Sequence, residues 1–144
     1  MILVDVHCHL DHWELKERLD EVLRNAEEAG VRAIITNGIN PETNRETLEL
    51  AAKHKAVKAA LGIYPMDALK RELESDEYPM KWKPFDVDEE LRFIESHKER
   101  IVAIGEIGLD FTKASEDEKK EQENETRFRH DFLPVSSGSF VWKA

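Results

Sequence analysis

A single cysteine, Cys8, among 144 residues leaves no partner for an intrachain disulfide. Covalent stapling is excluded, and a chain of this length can bury a core without it. No apolar run approaches the roughly 20 residues that a membrane helix needs. The first residues carry neither a charged leader nor an apolar segment after one. From these absences we expect one domain, no membrane partner and a reducing, cytoplasmic setting. A basic surplus is missing as well: 21 Lys and Arg face 31 Asp and Glu, for a net charge of −10. Broad attraction to a polyanion needs a basic face, so any phosphate substrate must be gripped by local cations, bound metal ions included. Charged residues make up 36% of the chain and are mostly Glu and Lys, a bias of proteins from hot environments. That bears on stability and leaves activity open.

What the chain does contain is an alternation of short apolar runs and helical periodicities. Ile2 to Val6 reads as a strand, and Leu15, Leu19, Val22, Leu23, Ala26 and Ala29 then recur at helical spacing before Gly30. Val31 to Thr36 is a second strand, broken by Asn37-Gly38. Asn40-Pro41 then caps and opens a helix with Leu48, Ala51 and Ala52 inward. Val57 to Ile63 is a third strand. Met66 to Phe85, with prolines, many charges, Tyr78 and Trp82, reads as a long loop holding a short helix. Val87, Leu91 and Ile94 mark a further helix, Ile101 to Ile104 a fourth strand, and a charged helix is expected from about Glu116. Strand and helix repeated in this order predict an α/β fold of parallel βα units, whose ligands bind beyond the carboxyl ends of the strands. The unusual residues lie at those ends: His7 and His9, Asn37-Gly38, Tyr64-Pro65 and Glu106.

His7 and His9 sit two residues apart where the first strand should finish. Along a strand alternate side chains share a face, which puts Asp5, His7 and His9 on one side and Val6 and Cys8 on the other. Two neutral imidazoles side by side chelate one divalent ion, although a wet polar strand face would show the same spacing. Glu106 follows the fourth strand between Gly105 and Gly108, on a backbone that allows close approach to a ligand. It is either an acid able to bridge two metal ions or a solvated loop residue. Cys8 is read as a small buried thiol against the helices, not as a ligand. His12, His54 and His97 are given surface roles, and Asp5 either orients a histidine or caps a turn. Tyr78 and Trp82 either stack on a base or anchor their loop, and Glu116 to Glu125 reads as a solvated helix face.

Asp5-Val6-His7-Cys8-His9-Leu10-Asp11, Gly62-Ile63-Tyr64-Pro65 and Gly105-Glu106-Ile107-Gly108-Leu109-Asp110 together resemble the TatD family of metal-dependent deoxyribonucleases, in the family's order and at similar spacing. The resemblance implies a (β/α)8 barrel of the metallo-dependent hydrolase superfamily. It also implies two divalent ions (Mg, Mn or Zn) and cleavage of phosphodiester bonds in DNA or a smaller phosphoester. On it, His7 and His9 match the first-strand metal ligands, and Glu106 matches the bridging and catalytic glutamate. Asp110 falls on a motif without a metal role. Tyr64 and Met66 stand where many relatives carry histidine. Two later histidines and an aspartate of the family have no counterparts here, and His130, the only histidine after Glu106, lies in a different motif.

Eight βα units need roughly 200 residues or more, so the expectation is the first half of a (β/α)8 barrel, about four units. The resemblance runs over residues 1–122, within a single domain of 1–144. Residues 123–144 read as a divergent tail, of the kind a frameshift or truncation leaves. An exposed half-barrel surface with two unpaired strand edges should drive self-association. Expected activity of the short chain is weak or absent. The alternatives are a non-enzymatic half-barrel remnant or assembly subunit, and an amidohydrolase acting on C–N or ester bonds. The latter commonly carries a carbamylated lysine where this chain has Glu106.

Overall fold

Residues 1–65, 84–111 and 114–130 are described by the computed structural model. The expected loop from Met66 falls almost wholly outside them. Four parallel strands, β1 (Leu3–Cys8), β2 (Val31–Asn37), β3 (Val57–Leu61) and β4 (Ala103–Ile104), form one sheet in the order of the chain. Sequential order with a helix between neighbours is the first half of a (β/α)8 barrel, as the alternation predicts. The register aligns Cys8 with Thr36, Asn37 with Ala60, and Leu61 with Ile104. All four strands therefore end at one rim.

Two departures from the expected elements have local causes. The helix expected from Leu15 to Ala29 is two pieces, α1 (Trp13–Lys16) and α2 (Leu19–Glu28), because Arg18 leaves helical backbone at φ −124° and ψ 24°. The clean alternation expected of β1 also fails. Its pairing with β2 is irregular between Asp5 and Cys8, and Val6 lines the same cavity as His7 while Cys8 packs against the helices.

Helices α3 (Pro41–Lys53), α4 (Val87–Ser96) and α5 (Glu116–His130) complete the elements, with a single 3-10 turn at Lys98–Arg100. α3 starts on a reciprocal cap in which Asn40 accepts from the Thr43 N–H and Thr43 Oγ1 accepts from the Asn40 N–H, with Pro41 in the first turn. α5 continues past Gln122, so the helix crosses the boundary expected there, and residues 131–144 lie outside the described ones.

The core lies between the sheet and the helices. Leu10, Ile34, Leu50 and Val57 form one buried cluster, Leu48, Leu61, Val87 and Ile94 belong to the other, and Ala51 packs against both. Leu61 is fully buried. The opposite, concave face is open: Val4 and Val6 are each 52% exposed and Val102 is 55% exposed. Strands β1 and β4 are the sheet's two edges, and neither has an outer neighbour among the described residues.

Cys8 is partly buried and packs against the cluster of Leu10, Ile34, Leu50 and Val57. Burial, reinforced by the Asp5 and Asp11 carboxylates, pushes its thiol from the ordinary 9.0 up to about 11. A raised thiol pKa means that folding favours the neutral form. The stability it contributes is whole below pH 9.0 and declines as pH climbs toward 11. At pH 8 iodoacetamide should alkylate Cys8 in the native protein roughly a hundredfold more slowly than in urea, since only thiolate reacts. Equal rates would refute this. Truncating Leu61 to Ala should cost about 2–5 kcal/mol in urea unfolding, because the sheet cannot collapse into the space left behind.

Candidate metal centre at the strand rim

The end of β1 is held by the end of β2. The Thr36 hydroxyl accepts the Leu10 N–H at 3.1 Å, and the Asn37 side-chain amide donates to the carbonyls of Cys8 and Ile35 at 3.4 and 3.2 Å. The Asn37 carbonyl in turn lies 2.9 Å from His9 Nδ1. A carbonyl only accepts, so Nδ1 carries the proton, which in the neutral ring leaves the lone pair on Nε2. That Nε2 faces the Glu106 carboxylate, with 3.8 Å to Oε2.

Glu106 is placed from β3. The Gly105 N–H donates to Leu61 O at 2.9 Å, and the Ile63 N–H donates to Glu106 O at 2.9 Å. Between these bonds the bare Cα of Gly62 lies against the Gly105–Glu106 peptide, where a Cβ would stand 2.1 Å from the Glu106 nitrogen. Only glycine permits this approach.

The arrangement brings His7, His9 and Glu106 together. One ligand atom of each lies within 4.8 Å of the others. The His7 and His9 rings meet edge to face, with centroids 5.2 Å apart. His9 and Glu106 are about a third exposed or less, and His7 is exposed. Behind them opens a cavity of about 450 Å³ whose walls include Val6, Ile35, Val102 and Ile104. Ligands about 2.1 Å from one ion stand roughly 3–4 Å apart, so the spacing of Nε2 and Oε2 suits a shared cation.

Other residues resolve the alternatives left by the sequence. Within β1, Asp5 Oδ1 accepts the His7 backbone N–H at 3.1 Å. Tyr64 donates its hydroxyl to the Asp110 carboxylate. The Asp110 backbone is clasped by Gln122, which gives 2.7 Å to its carbonyl and takes 2.8 Å from its N–H. Gln122 is buried, so the charged run of α5 is not wholly a solvated face. His54 and His97 close α3 and α4 and are half-buried there, not fully at the surface. Burial pushes the Asp11 carboxyl above its usual range, and its Oδ1 is buried with no hydrogen-bond partner among the described residues. Met66 lies outside the described residues.

Sequence reasoning singled out Asn37 only as a turn former and passed over Asn44 and Gln122. The available signal was the residue type: amides within helices or at strand ends, where they compete for backbone groups.

A family model described as TatD related DNase matches residues 4–131. The putative deoxyribonuclease TATDN3 of Mus musculus is 35% identical over 130 residues, 88% of this chain and 42% of the mouse protein. The uncharacterized metal-dependent hydrolase YabD of Bacillus subtilis is 30% identical over 122 residues, 83% of this chain and 43% of that protein. Among solved structures, YJJV, a TatD homolog from Escherichia coli K12, superposes with a TM-score of 0.65 at 27% identity, covering 90% of this chain and 47% of that one. The chain thus spans less than half the length of these curated relatives. With a family model matched over nearly the whole sequence and the same half-barrel in a solved relative, the chain belongs to the TatD related DNase family.

Proposed function

We propose that this chain carries the opening half of a divalent-metal phosphodiesterase site of the deoxyribonuclease type, in which His7, His9 and Glu106 hold the metal. The observation that supports it is the convergence of three ligand atoms from two strands within 4.8 Å, with His9 already fixed in the tautomer a ligand requires. The relatives above, a putative deoxyribonuclease and a metal-dependent hydrolase, favour the same reading. Two imidazoles and one carboxylate suit Zn or Mn better than Mg, which prefers oxygen ligands. A metal pair supplies an acidified water and neutralises charge on a phosphodiester. Glu106 would help hold the metal, and the Asn37 carbonyl keeps His9 from rotating away. With no basic surplus, a DNA strand or smaller phosphoester is gripped at the metal and little elsewhere.

Purified protein is expected to retain about one divalent ion per chain. Glu106→Ala and His9→Ala should each lose it while keeping their circular dichroism. Retention of metal by folded Glu106→Ala would remove the proposed site. Because the family's later-strand ligands have no counterparts in this chain, cleavage of single-stranded DNA by the protein alone should be weak or absent. Robust cleavage that disappears in Glu106→Ala refutes that part.

The open concave face favours a second, compatible reading as an assembly subunit. Val4, Val6 and Val102 are half-exposed, and β1 and β4 are unpaired edges among the described residues. Self-association should cover them. Light scattering is expected to give a mass above that of one chain, and a clean monomer across concentrations would count against it.

A further inference from the structure

We propose that Asn44 is the positioning residue that sets His9 and Glu106 toward each other; this rests on the metal-site reading above. Asn44 is fully buried on α3, and its side-chain hydrogen bonds go to Gly62 and Glu90. Its Oδ1 accepts the Gly62 N–H at 3.1 Å, and its Nδ2 donates to the Gly62 carbonyl at 2.8 Å and to Glu90 Oε1 at 2.8 Å. One carboxamide thus satisfies both backbone groups of Gly62, as a neighbouring strand would.

From Gly62 the placement passes to Glu106 by contact. A Cβ on Gly62 would stand 2.1 Å from the Glu106 nitrogen, and the adjoining Ile63 N–H holds the Glu106 carbonyl at 2.9 Å. If Gly62 shifts, Glu106 must follow. On its other side Asn44 presses against Gly38, where a Cβ would stand 2.2 Å from Asn44 Oδ1. Gly38 adjoins Asn37, whose carbonyl orients His9. A single side chain, wedged between two glycines, therefore spaces the supports of two candidate ligands.

The wedge has its own anchor. Glu90 is 1% exposed, and its carboxylate is held by Arg45 Nη1 at 2.7 and 2.9 Å. The Arg45 guanidinium lies 3.8 Å over the Phe93 ring. A buried carboxylate needs such a cation, and so paired it fixes the second Nδ2 hydrogen of Asn44. A residue that merely filled space would need none of these bonds.

Hydrogen exchange read by NMR tests the wedge with and without a variant. In the wild-type chain the Asn44 side-chain amide protons should exchange far more slowly than a free carboxamide, and free-rate exchange overturns the proposal outright. In Asn44→Ala, exchange should quicken selectively at the amides of Gly38, Ile63 and Gly105, against reference amides in α2. Zn²⁺ affinity by calorimetry should fall about tenfold to hundredfold, the usual effect of removing a group that orients ligands. Unchanged affinity in the folded variant, or uniform quickening that includes α2, overturns the proposal. Selective quickening in a protein whose wild type takes up no Zn²⁺ supports the wedge and fails the metal reading instead.

Discussion

No side chain fits between Gly62 and the Gly105–Glu106 peptide, and the rim is organised around that contact. Closing β3 onto β4 so tightly puts both backbone ends of Glu106 under control: its own carbonyl takes the Ile63 N–H, and the preceding Gly105 N–H goes to Leu61. These bonds fix the backbone from which the Glu106 side chain departs, and its carboxylate lies 3.8 Å from His9 Nε2. His9 is governed the same way, by the Asn37 carbonyl at the end of β2. A rim whose candidate ligands are placed by strand ends inherits the rigidity of the sheet, the property that metal ligation at fixed distances would demand.

Much of this was readable from residue order because the signals are local. The stretch from Val57 to Ile63 reads as a strand, of which the structure forms Val57–Leu61, and Asn40-Pro41 announces a helix start whose reciprocal cap the structure contains. The pairing of His7 with His9 at a strand end and the glycine-flanked Glu106 needed only spacing and position. What escaped was carried by bonds between residues remote in sequence. Asn44 meets Gly62 across 18 positions and Glu90 across 46, and no window on the sequence registers that. Gln122 lay in a run of charges that concealed one buried amide. The uneven face pattern of β1 was missed for a different reason: strict alternation assumes an even ladder, and this ladder slips between Asp5 and Cys8. Strand β4 is shorter than its apolar run because Val102, although its N–H still reaches Ala59 O at 2.9 Å, lies outside the ladder of paired residues.

The charge balance sharpens what kind of site this is. With a net −10, the long-range field of the chain repels a polyanion. Two imidazoles contribute no negative charge and Glu106 contributes one. The donor set would thus leave a bound divalent ion net positive and able to attract phosphate. Were the cluster three carboxylates, the ion would be over-neutralised. The protein also spends one of its cations, Arg45, on the buried Glu90 carboxylate, which leaves that guanidinium serving the framework behind the rim and not the substrate.

The open concave face and the short ligand set have one geometric origin. In a closed eight-stranded barrel, the strands that would lie against the free edges of β1 and β4 also end at the rim where His7, His9 and Glu106 stand. Covering Val4, Val6 and Val102 removes apolar surface from water at roughly 25 cal/mol per Å², a drive that acts whatever residues the covering strands bring to the rim. Pairing the two edges satisfies backbone donors and acceptors and fixes the register of the newcomers by the ladders already present. Closure supported by packing alone would therefore deliver side chains beside the three candidate ligands at defined heights. Stability of the barrel and completion of the site are coupled through the same two strand edges.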